Sequence, residues 1–299
     1  MFKKKVLASV LGLGMAIGSA SAMAGEFLKP FILGSAPTSN DVSTVVSDAK
    51  SKLVANGFEV VGEYSPYRGT SIVVVTNNEL KSTAGKTEFG GYGAVTRVSI
   101  TKVGNDVQVS YSNPKYMANS YRLKSNLDGV SNSLKVALGA KSAFGSAEGI
   151  EDEDLRDWHY MFGMPYFDDA KELGTASSHK DMIAQIEGYL GAKKGGLTKV
   201  FSVKIPGKDT VLYGIGIGKG DGSDEVIMSS IDNGELRHTS HLPYGLLVVG
   251  NSAYMLDGKF RIASSFPDLS MGQFMSIQSA PDKIYEAFAT ATGVDEDDL

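Results

Sequence analysis

Apolar residues at helical spacing predict one long helix near the start of each half of the chain. After Asn40 and Asp41, either of which can cap a helix, apolar side chains recur every three or four residues through Val42–Val54. The same spacing recurs in Ser178–Leu190. A third apolar stripe, Leu127–Leu138, stops at Gly139, a residue that commonly follows the end of a helix. The pattern therefore places helices both before and after the strand-rich middle of the first half.

Alternating and β-branched runs predict the strands. In the first half the predicted strands are Phe27–Leu33, Phe58–Tyr64, Ser71–Thr76, Ala94–Val103 and Val107–Tyr111. In the second half they are Leu197–Ile205, Thr210–Ile217, Glu225–Ile231, a strand that begins near Tyr244, and Phe260–Ser265. The first half is thus predicted to run strand, helix, four strands, helix.

The spacing of a few landmarks predicts an internal repeat. Tyr92 and Tyr244 are each followed by Gly, a strand, a turn and an alternating strand, and then by Pro114 or Pro267. The predicted turns are Gly104-Asn105-Asp106 in the first half and Asp257-Gly258 in the second. The first interval spans 22 positions and the second 23. Landmarks that keep a common register over tens of residues indicate duplication.

The repeat predicts the fold class and the domain organisation. We expect an α+β fold of two tandem strand-helix-four-strand-helix modules, with antiparallel sheets backed by helices and packed as a pseudo-dimer. The modules are predicted at 25–145 and 175–299, the second with an acidic C-terminal tail. An aromatic and Met-rich segment, 146–174, connects them. We expect the two modules to bury an apolar surface between them.

The module pattern and the string His-Leu-Pro-Tyr-Gly-Leu-Leu-Val-Val at 241–249 resemble the domain of unknown function 302 family. The resemblance implies an antiparallel sheet backed by helices in a module that forms homodimers. Two copies, about 26–140 and 175–294, would then form an intramolecular pseudo-dimer. The first copy departs from the pattern, since it has Phe89-Gly90-Gly91 where the second has Leu-Pro. The family has no agreed activity, so the resemblance implies no catalytic residues.

The first 24 residues have the features of an export signal. Three lysines precede the apolar run Val6–Ile17, and Ala22 and Ala24 are the small residues expected before a cut. We therefore expect cleavage after Ala24 and a periplasmic or secreted protein. No membrane span is expected, because the apolar run is too short for a permanent one.

Composition narrows the classes of function. The chain has no Cys, which excludes disulfides, thiolate metal sites and cysteine nucleophiles. Its net charge of −5 becomes −8 once the three signal lysines are removed. Repulsion from phosphate argues against nucleic acid as a partner. The expected partner is a small or hydrophobic ligand or an exported protein, with homo-oligomers of the pseudo-dimer as a further option.

The connecting segment holds the candidate ligand or interface residues. An aromatic-rich stretch of this kind can clamp two modules together by apolar burial. The candidates are Trp158, His159, Tyr160, Phe162 and Tyr166.

A metal or haem site is the alternative interpretation of the same segment. Imidazole and thioether groups are ligands for copper and for haem iron, and His159 has Met161 and Met164 close by. His238 and His241 form a second candidate pair at i,i+3 spacing. Packing is the simpler explanation of the aromatic segment, so the leading hypothesis has no cofactor.

No catalytic motif is complete. The Gly-rich string Gly214–Gly222 lacks the third Gly of a dinucleotide fingerprint, and Gly250–Tyr254 lacks the last Gly of a nucleophile elbow. The acidic turn Asp221–Glu225 is expected to be solvated, and Met271 with Met275 is expected to face the core. The leading functional hypothesis is therefore a non-catalytic binding or interaction protein.

Overall fold

A computed structural model describes residues 25–295 and 297. The predicted export signal, residues 1–24, lies outside them. The described chain has the predicted α+β fold, in which antiparallel sheets are backed by helices. The strands are β1 (Phe27–Leu28), β2 (Phe31–Leu33), β3 (Glu59–Tyr64), β4 (Thr70–Thr76), β5 (Thr96–Val103), β6 (Asp106–Ser112), β7 (Ser142–Phe144), β8 (Ile150–Glu151), β9 (Lys171–Thr175), β10 (Leu197–Lys204), β11 (Thr210–Ile217), β12 (Tyr244–Val249) and β13 (Ser252–Met255).

The helices follow the same order in both halves. The α-helices are α1 (Val42–Ala55), α2 (Asn78–Ala84), α3 (Pro114–Ser120), α4 (Asp128–Leu138), α5 (Asp152–Arg156), α6 (His179–Gly191), α7 (Asp224–Ile231), α8 (Gly258–Ala263), α9 (Met271–Ser276) and α10 (Ala280–Ala291). Three short 3₁₀ helices lie at Gly90–Gly93, Lys194–Gly196 and Thr239–His241. Within the described residues, none of the helices combines the length and the apolar character needed to cross a membrane.

The two large sheets have corresponding strand orders. The first is β3-β4-β5-β6-β2-β7 and the second is β10-β11-β12-β13-β9, so they differ only by β7 at one edge. Each also carries a bulge in its edge hairpin, between Val60 and Gly62 in the first and between Lys199 and Phe201 in the second. This correspondence is what a duplication would produce, and the duplication itself stays a prediction.

Helices cover one face of each sheet. Asp41 begins α1, since its Oδ1 accepts a hydrogen bond of 2.8 Å from the Thr44 amide, as a helix cap does. Helix α1 packs on β3, β4 and β5 and on α4. In the second half α6 packs on β10, β12 and β13 and on α10. Each sheet thus buries one face beneath a pair of helices from its own half.

The opposite face of each sheet meets the other half. The 3₁₀ helix Thr239–His241 of the second half contacts β4, β5 and β6, while Gly90–Gly93 of the first half contacts β11 and β12. We call the surface formed by these two exchanges the seam. Every residue of β4 and β11 is buried, because helices cover one side and the other half covers the other. Such reciprocity is typical of a two-fold interface.

Two predicted strands are wrong because they are helices. Glu225–Ile231 lies in α7, and most of Phe260–Ser265 lies in α8. In α8 four consecutive residues from Phe260 to Ala263 are buried, so the segment has no polar face to reveal a helical period. The landmark Pro267 is therefore not the counterpart of Pro114.

The corresponding positions are helix caps. Asn113 follows β6 and accepts from the amide two residues on, and Asp257 follows β13 and does the same. The hairpin turn of the second half is Gly250-Asn251, between β12 and β13, rather than the predicted Asp257-Gly258. The two halves are therefore better aligned by strand order than by the spacing of Tyr and Pro.

Candidate functional site

The face of β5 that meets the second half is polar. Successive strand residues point to opposite faces, so Val98 and Ile100 enter the core while Arg97, Ser99 and Thr101 face the seam. All five side chains are buried. The sequence pattern of this strand is that of a solvent-facing edge, but the second half covers it.

Hydroxyl groups join the two halves here. The Ser99 and Ser240 hydroxyls lie 2.8 Å apart, and Thr101 Oγ1 donates to Thr239 Oγ1 at 3.0 Å. On the neighbouring strand β6, Ser112 Oγ donates to the Ser240 carbonyl at 3.3 Å. We call this region, where Thr239–His241 lies on β5 and β6, the polar contact. The expectation of an apolar surface between the modules is wrong for this part of the seam.

Two arginines are buried beside these hydroxyls. Arg97 is 3 % exposed and its Nε donates to the Pro243 carbonyl at 3.2 Å. Arg261, on α8, is 7 % exposed and donates to the His241 carbonyl and to Ser265 Oγ. Within residues 25–295 and 297, neither guanidinium forms an ion pair with a carboxylate. Burial, and then the charge of Arg261, lower the pKa of Arg97 to about 10, so Arg97 remains charged at neutral pH.

The arginines line a small cavity between the halves. The first half contributes Arg97, β6 and α3, and the second contributes Ser240, Arg261 and the end of α8. The centre of a water-sized sphere can move through about 20 Å³ of it, which is room for one compact group. The serine hydroxyls on its wall belong to Ser112, Ser120, Ser240, Ser264 and Ser265. We call it the seam cavity.

Two hydroxyls on the cavity wall are left without hydrogen bonds. The Tyr116 hydroxyl and Ser120 Oγ are buried neighbours on α3, and neither makes a hydrogen bond of normal geometry within the described chain. A buried polar group without a partner costs about 1–3 kcal/mol. Because both groups lie on the cavity wall, they are available to a molecule inside it.

The candidate metal pair contacts residues that line this cavity, since Arg261 donates to the His241 carbonyl and His238 Nδ1 lies 3.0 Å from the Ser265 carbonyl. His241 is fully buried, with its Nε2 2.9 Å from the Tyr244 hydroxyl and its Nδ1 unpartnered within the described residues. Burial, followed by the charges of Arg261 and Arg97, lowers the pKa of His241 well below its ordinary value. The ring is therefore neutral.

His238 has its own partner. Its Nδ1 lies 3.0 Å from the Ser265 carbonyl and its ring stacks on Phe266 at 4.6 Å. Burial lowers the pKa of His238 to about 4. Across the described part of the chain there is no group of three or more His, Cys, Asp or Glu side chains that could hold a metal ion. Metal binding by this pair stays a prediction.

The connecting segment lies outside the cavity. Trp158 packs edge-on against Phe260 of α8, with ring centroids 6.2 Å apart, and the Tyr160 hydroxyl donates to the Leu269 carbonyl. Tyr166 is more exposed, and its ring lies 4.4 Å from His159. A ligand or interface role for these residues stays a prediction.

The expected clamp needs one correction. Phe162 is 100 % exposed, so it buries nothing and does not hold the halves together. Phe167 is 4 % exposed instead: its ring stacks on Tyr121 of the first half at 5.4 Å and lies 6.2 Å from Phe260 of the second. The segment therefore bridges the halves through Phe167.

The predicted metal ligands of the segment are partly exposed. His159 Nδ1 lies 2.7 Å from the backbone carbonyl of Met161, so the ring contacts this residue through its main chain. The Met161 side chain is exposed, and Met164 is half-buried. Copper or haem ligation by His159 with either Met stays a prediction.

The acidic turn contains an unexpected buried carboxyl. Asp224 is fully buried, and its Oδ2 accepts from the Tyr64 hydroxyl of the first half at 2.7 Å and from the Ile217 amide at 3.1 Å. Burial raises its pKa to about 7. The expectation of a solvated turn is wrong for Asp224. The expected core position of Met271 and Met275 is also wrong, because both are half exposed.

Sequence reasoning did not single out Arg97 or Arg261. A single Arg in an alternating strand or in an apolar stretch is not distinctive in the sequence. The two become distinctive only when the fold places them on one cavity between the halves. Comparisons with protein-family models, with curated proteins and with solved structures found no match to this chain. The candidate site therefore stands on its geometry.

Proposed function

We propose that the chain is an exported, non-catalytic binding protein that holds a small ligand in the seam cavity. The observation that carries the proposal is a cavity walled by both halves, with two buried hydroxyls, those of Tyr116 and Ser120, left unpaired on its surface. Ligand sites are concave, with a few convergent polar groups, and often lie between structural units. Export rests on the predicted signal.

The surrounding groups favour binding over catalysis. Two imidazoles lie near the cavity serines: His241 has its Nε2 engaged by the Tyr244 hydroxyl, and His238 Nδ1 lies 3.0 Å from the carbonyl of Ser265 rather than from its hydroxyl. A serine nucleophile needs a neighbouring base in hydrogen-bond reach. Among the described residues the cavity serine hydroxyls bond instead to other hydroxyls, to backbone carbonyls or to Arg261, and that of Ser120 has no partner. The corresponding strand orders support two copies of one module, and the relation to the domain of unknown function 302 family is part of this proposal.

Native mass spectrometry of protein purified from its own cells tests the proposal. We expect a non-covalent adduct on the wild-type chain that is lost in Ser120→Leu, because the larger side chain fills the cavity. Ser120 is suitable because its hydroxyl makes no hydrogen bond that the substitution would break. Ser276→Leu, at an exposed position, is the matched control and should keep the adduct. A wild-type chain without any adduct, or an adduct retained in a folded Ser120→Leu, would contradict the proposal.

A metal-handling role is the second proposal, and one contact favours it. Metal-bound histidines commonly fix one ring nitrogen on a carbonyl, as His159 Nδ1 does on Met161, and this leaves Nε2 for a metal. Elemental analysis and a visible spectrum of the purified protein test it. We expect stoichiometric copper or iron that is lost in His159→Ala, and protein free of both metals would refute it.

A further inference from the structure

We propose that the ligand of the seam cavity is an anion: a compact acidic group, either free in solution or the head of a larger molecule, held between Arg97 and Arg261. This inference rests on the proposed binding function and names its ligand chemistry. It starts from charge. A buried cation is stable in a protein when it is paired or well hydrogen-bonded, and here two lie on one wall with no carboxylate opposite either.

The donors of Arg97 point to the same conclusion. A guanidinium has five N–H donors. In the described residues only Nε of Arg97 makes a hydrogen bond, to Pro243, so its two terminal nitrogens have no partner. These are the two nitrogens that bind carboxylate and phosphate groups in a fork.

Arg261 is held in a fixed orientation. One of its terminal nitrogens donates to the His241 carbonyl and the other to Ser265 Oγ. A guanidinium anchored on two oxygens loses little conformational freedom when it meets an anion, so less of the interaction energy is spent on ordering. These two acceptors, a carbonyl and a hydroxyl, are uncharged, so they fix the position of the guanidinium without neutralising its charge.

The rest of the wall suits an anion as well. The hydroxyls of Tyr116 and Ser120 are unpaired and can donate, and no Asp or Glu lines the cavity. His241, next to both arginines, is neutral, so it does not offset their positive charge. The small volume restricts the bound part to a compact group. Positive charge, unpaired donors and small size together describe an anion site rather than a site for a neutral or cationic ligand.

Isothermal titration of the purified protein tests the inference. Chloride, phosphate, acetate and hexanoate are titrated separately in a buffer whose only other anion is a bulky sulfonate. We expect saturable binding of at least one. Binding of chloride, phosphate or acetate indicates a free anion as the ligand, whereas binding of hexanoate alone indicates the acidic head of a larger molecule.

The variants separate an anion site from a structural arginine pair. Arg97→Met and Arg261→Met should each weaken the binding by about tenfold to a hundredfold, the usual effect of removing a charged hydrogen-bond donor. Arg68→Met removes the same charge at an exposed position and should leave the affinity unchanged. Melting curves without added anion provide the second readout. Arg97→Met should melt at or above the wild-type temperature, because it removes a buried unpaired charge.

Three results would overturn the inference. They are no saturable binding of any of the four anions, equal affinity in wild type and both cavity variants, and a fall in melting temperature of Arg97→Met with no anion response in wild type. These outcomes are distinct from failure of the proposed function. A neutral adduct in the native spectrum that depends on Ser120, together with no anion binding, would support the proposed binding function and exclude only an anionic ligand.

Discussion

The two exchanges across the seam share a topology and differ in chemistry. In the polar contact, Thr239–His241 lies on β5 and β6 through hydroxyls. In its counterpart, which we call the apolar contact, Gly90–Gly93 lies on β11 and β12. If the two sheets are aligned on the pairs Thr70–Thr101 and Thr210–Val249, Arg97 corresponds to Gly245 and Ser99 to Leu247.

Close packing replaces hydrogen bonding in the apolar contact. A Cβ added to Gly91 would lie 2.4 Å from Leu247 Cδ1, so the backbone of the 3₁₀ helix rests directly on the leucine. A Cβ on Gly245 would lie 3.3 Å from the Tyr92 ring. We infer that the two contacts have different roles. The apolar contact stabilises the pairing of the halves, whereas the polar contact is less stabilising and contains the buried arginines and the seam cavity.

The largest effect is expected where the connecting segment bridges the two halves. Phe167→Ala removes a buried ring that lies between Tyr121 and Phe260, and should lower the free energy of unfolding by about 3–5 kcal/mol. Urea denaturation measures it. Phe162→Ala, at a fully exposed position of the same segment, should change it by no more than about 0.5 kcal/mol. Equal effects of the two substitutions would show that Phe167 does not stabilise the pairing of the halves.

Truncation at corresponding positions compares the two contacts directly. Leu247→Ala should cost about 2–5 kcal/mol, because it leaves a cavity in the apolar contact. Ser99→Ala at the matching position should cost only about 0.5–1.5 kcal/mol, the net value of a hydrogen bond. The same denaturation experiment measures both. A larger loss of stability for Ser99→Ala would show that the polar contact, and not the apolar contact, contributes more to the pairing of the halves.

A carboxyl elsewhere on the seam should make stability depend on pH. In the folded chain Asp224 keeps its proton up to a pKa of about 7, whereas its ordinary value is 3.8. Between these values the folded state binds more protons than the unfolded state, so the free energy of unfolding falls as pH rises from about 4 to 7. The loss is about 1.4 kcal/mol for each unit by which the pKa is raised.

Asp224→Asn tests this dependence. The amide oxygen can still accept from Tyr64 and Ile217, but the side chain cannot titrate. We expect the stability difference, wild type minus variant, to decline between pH 4 and pH 7 and to be level above pH 7. Asp232, whose pKa burial raises to about 6, titrates in both proteins and cancels from the difference. A difference that is constant over this range would contradict the prediction.

The smallest effect is expected at a hydroxyl of the apolar contact. The Tyr92 hydroxyl is buried without a partner in the described chain, so Tyr92→Phe should be neutral or should raise the free energy of unfolding by up to about 1 kcal/mol. Tyr244→Phe is the comparison, because that hydroxyl is bonded to His241. It should cost about 1–3 kcal/mol by leaving the imidazole unpaired. Melting curves of the two variants should move in opposite directions or by clearly different amounts.

Local signals were sufficient for the elements that have one polar face. Helix α1 was predicted from a capping residue, Asn40 or Asp41, followed by an apolar stripe, and α6 from its apolar stripe alone, and the structure confirms both helices. They were insufficient for α8, since a helix buried all round shows no period, and for α7, whose Val and Ile residues suggest a strand. Burial on every side removes the information that periodicity carries.

The candidate site was hidden for a related reason. Arg97, Ser99 and Thr101 alternate with apolar residues as they would on a solvent-facing strand, and nothing local distinguishes water from a polar partner surface. The partners of Ser99 and Arg97, Ser240 and Pro243, are more than 140 positions away in the chain. Only the tertiary fold brings the two cations, Arg97 and Arg261, to one cavity that no carboxylate lines.

The exposed tip of the connecting segment has a consequence for how the molecule tolerates a break. Phe162 precedes Gly163, whose φ of +80° turns the chain in a surface loop, the kind of site that proteases cut first. Because the halves exchange 3₁₀ helices, a single nick there severs the covalent link and leaves both exchanges in place. The two fragments should then elute together in size-exclusion chromatography. The intact loop would serve mainly to keep the two halves at a high local concentration while the chain folds.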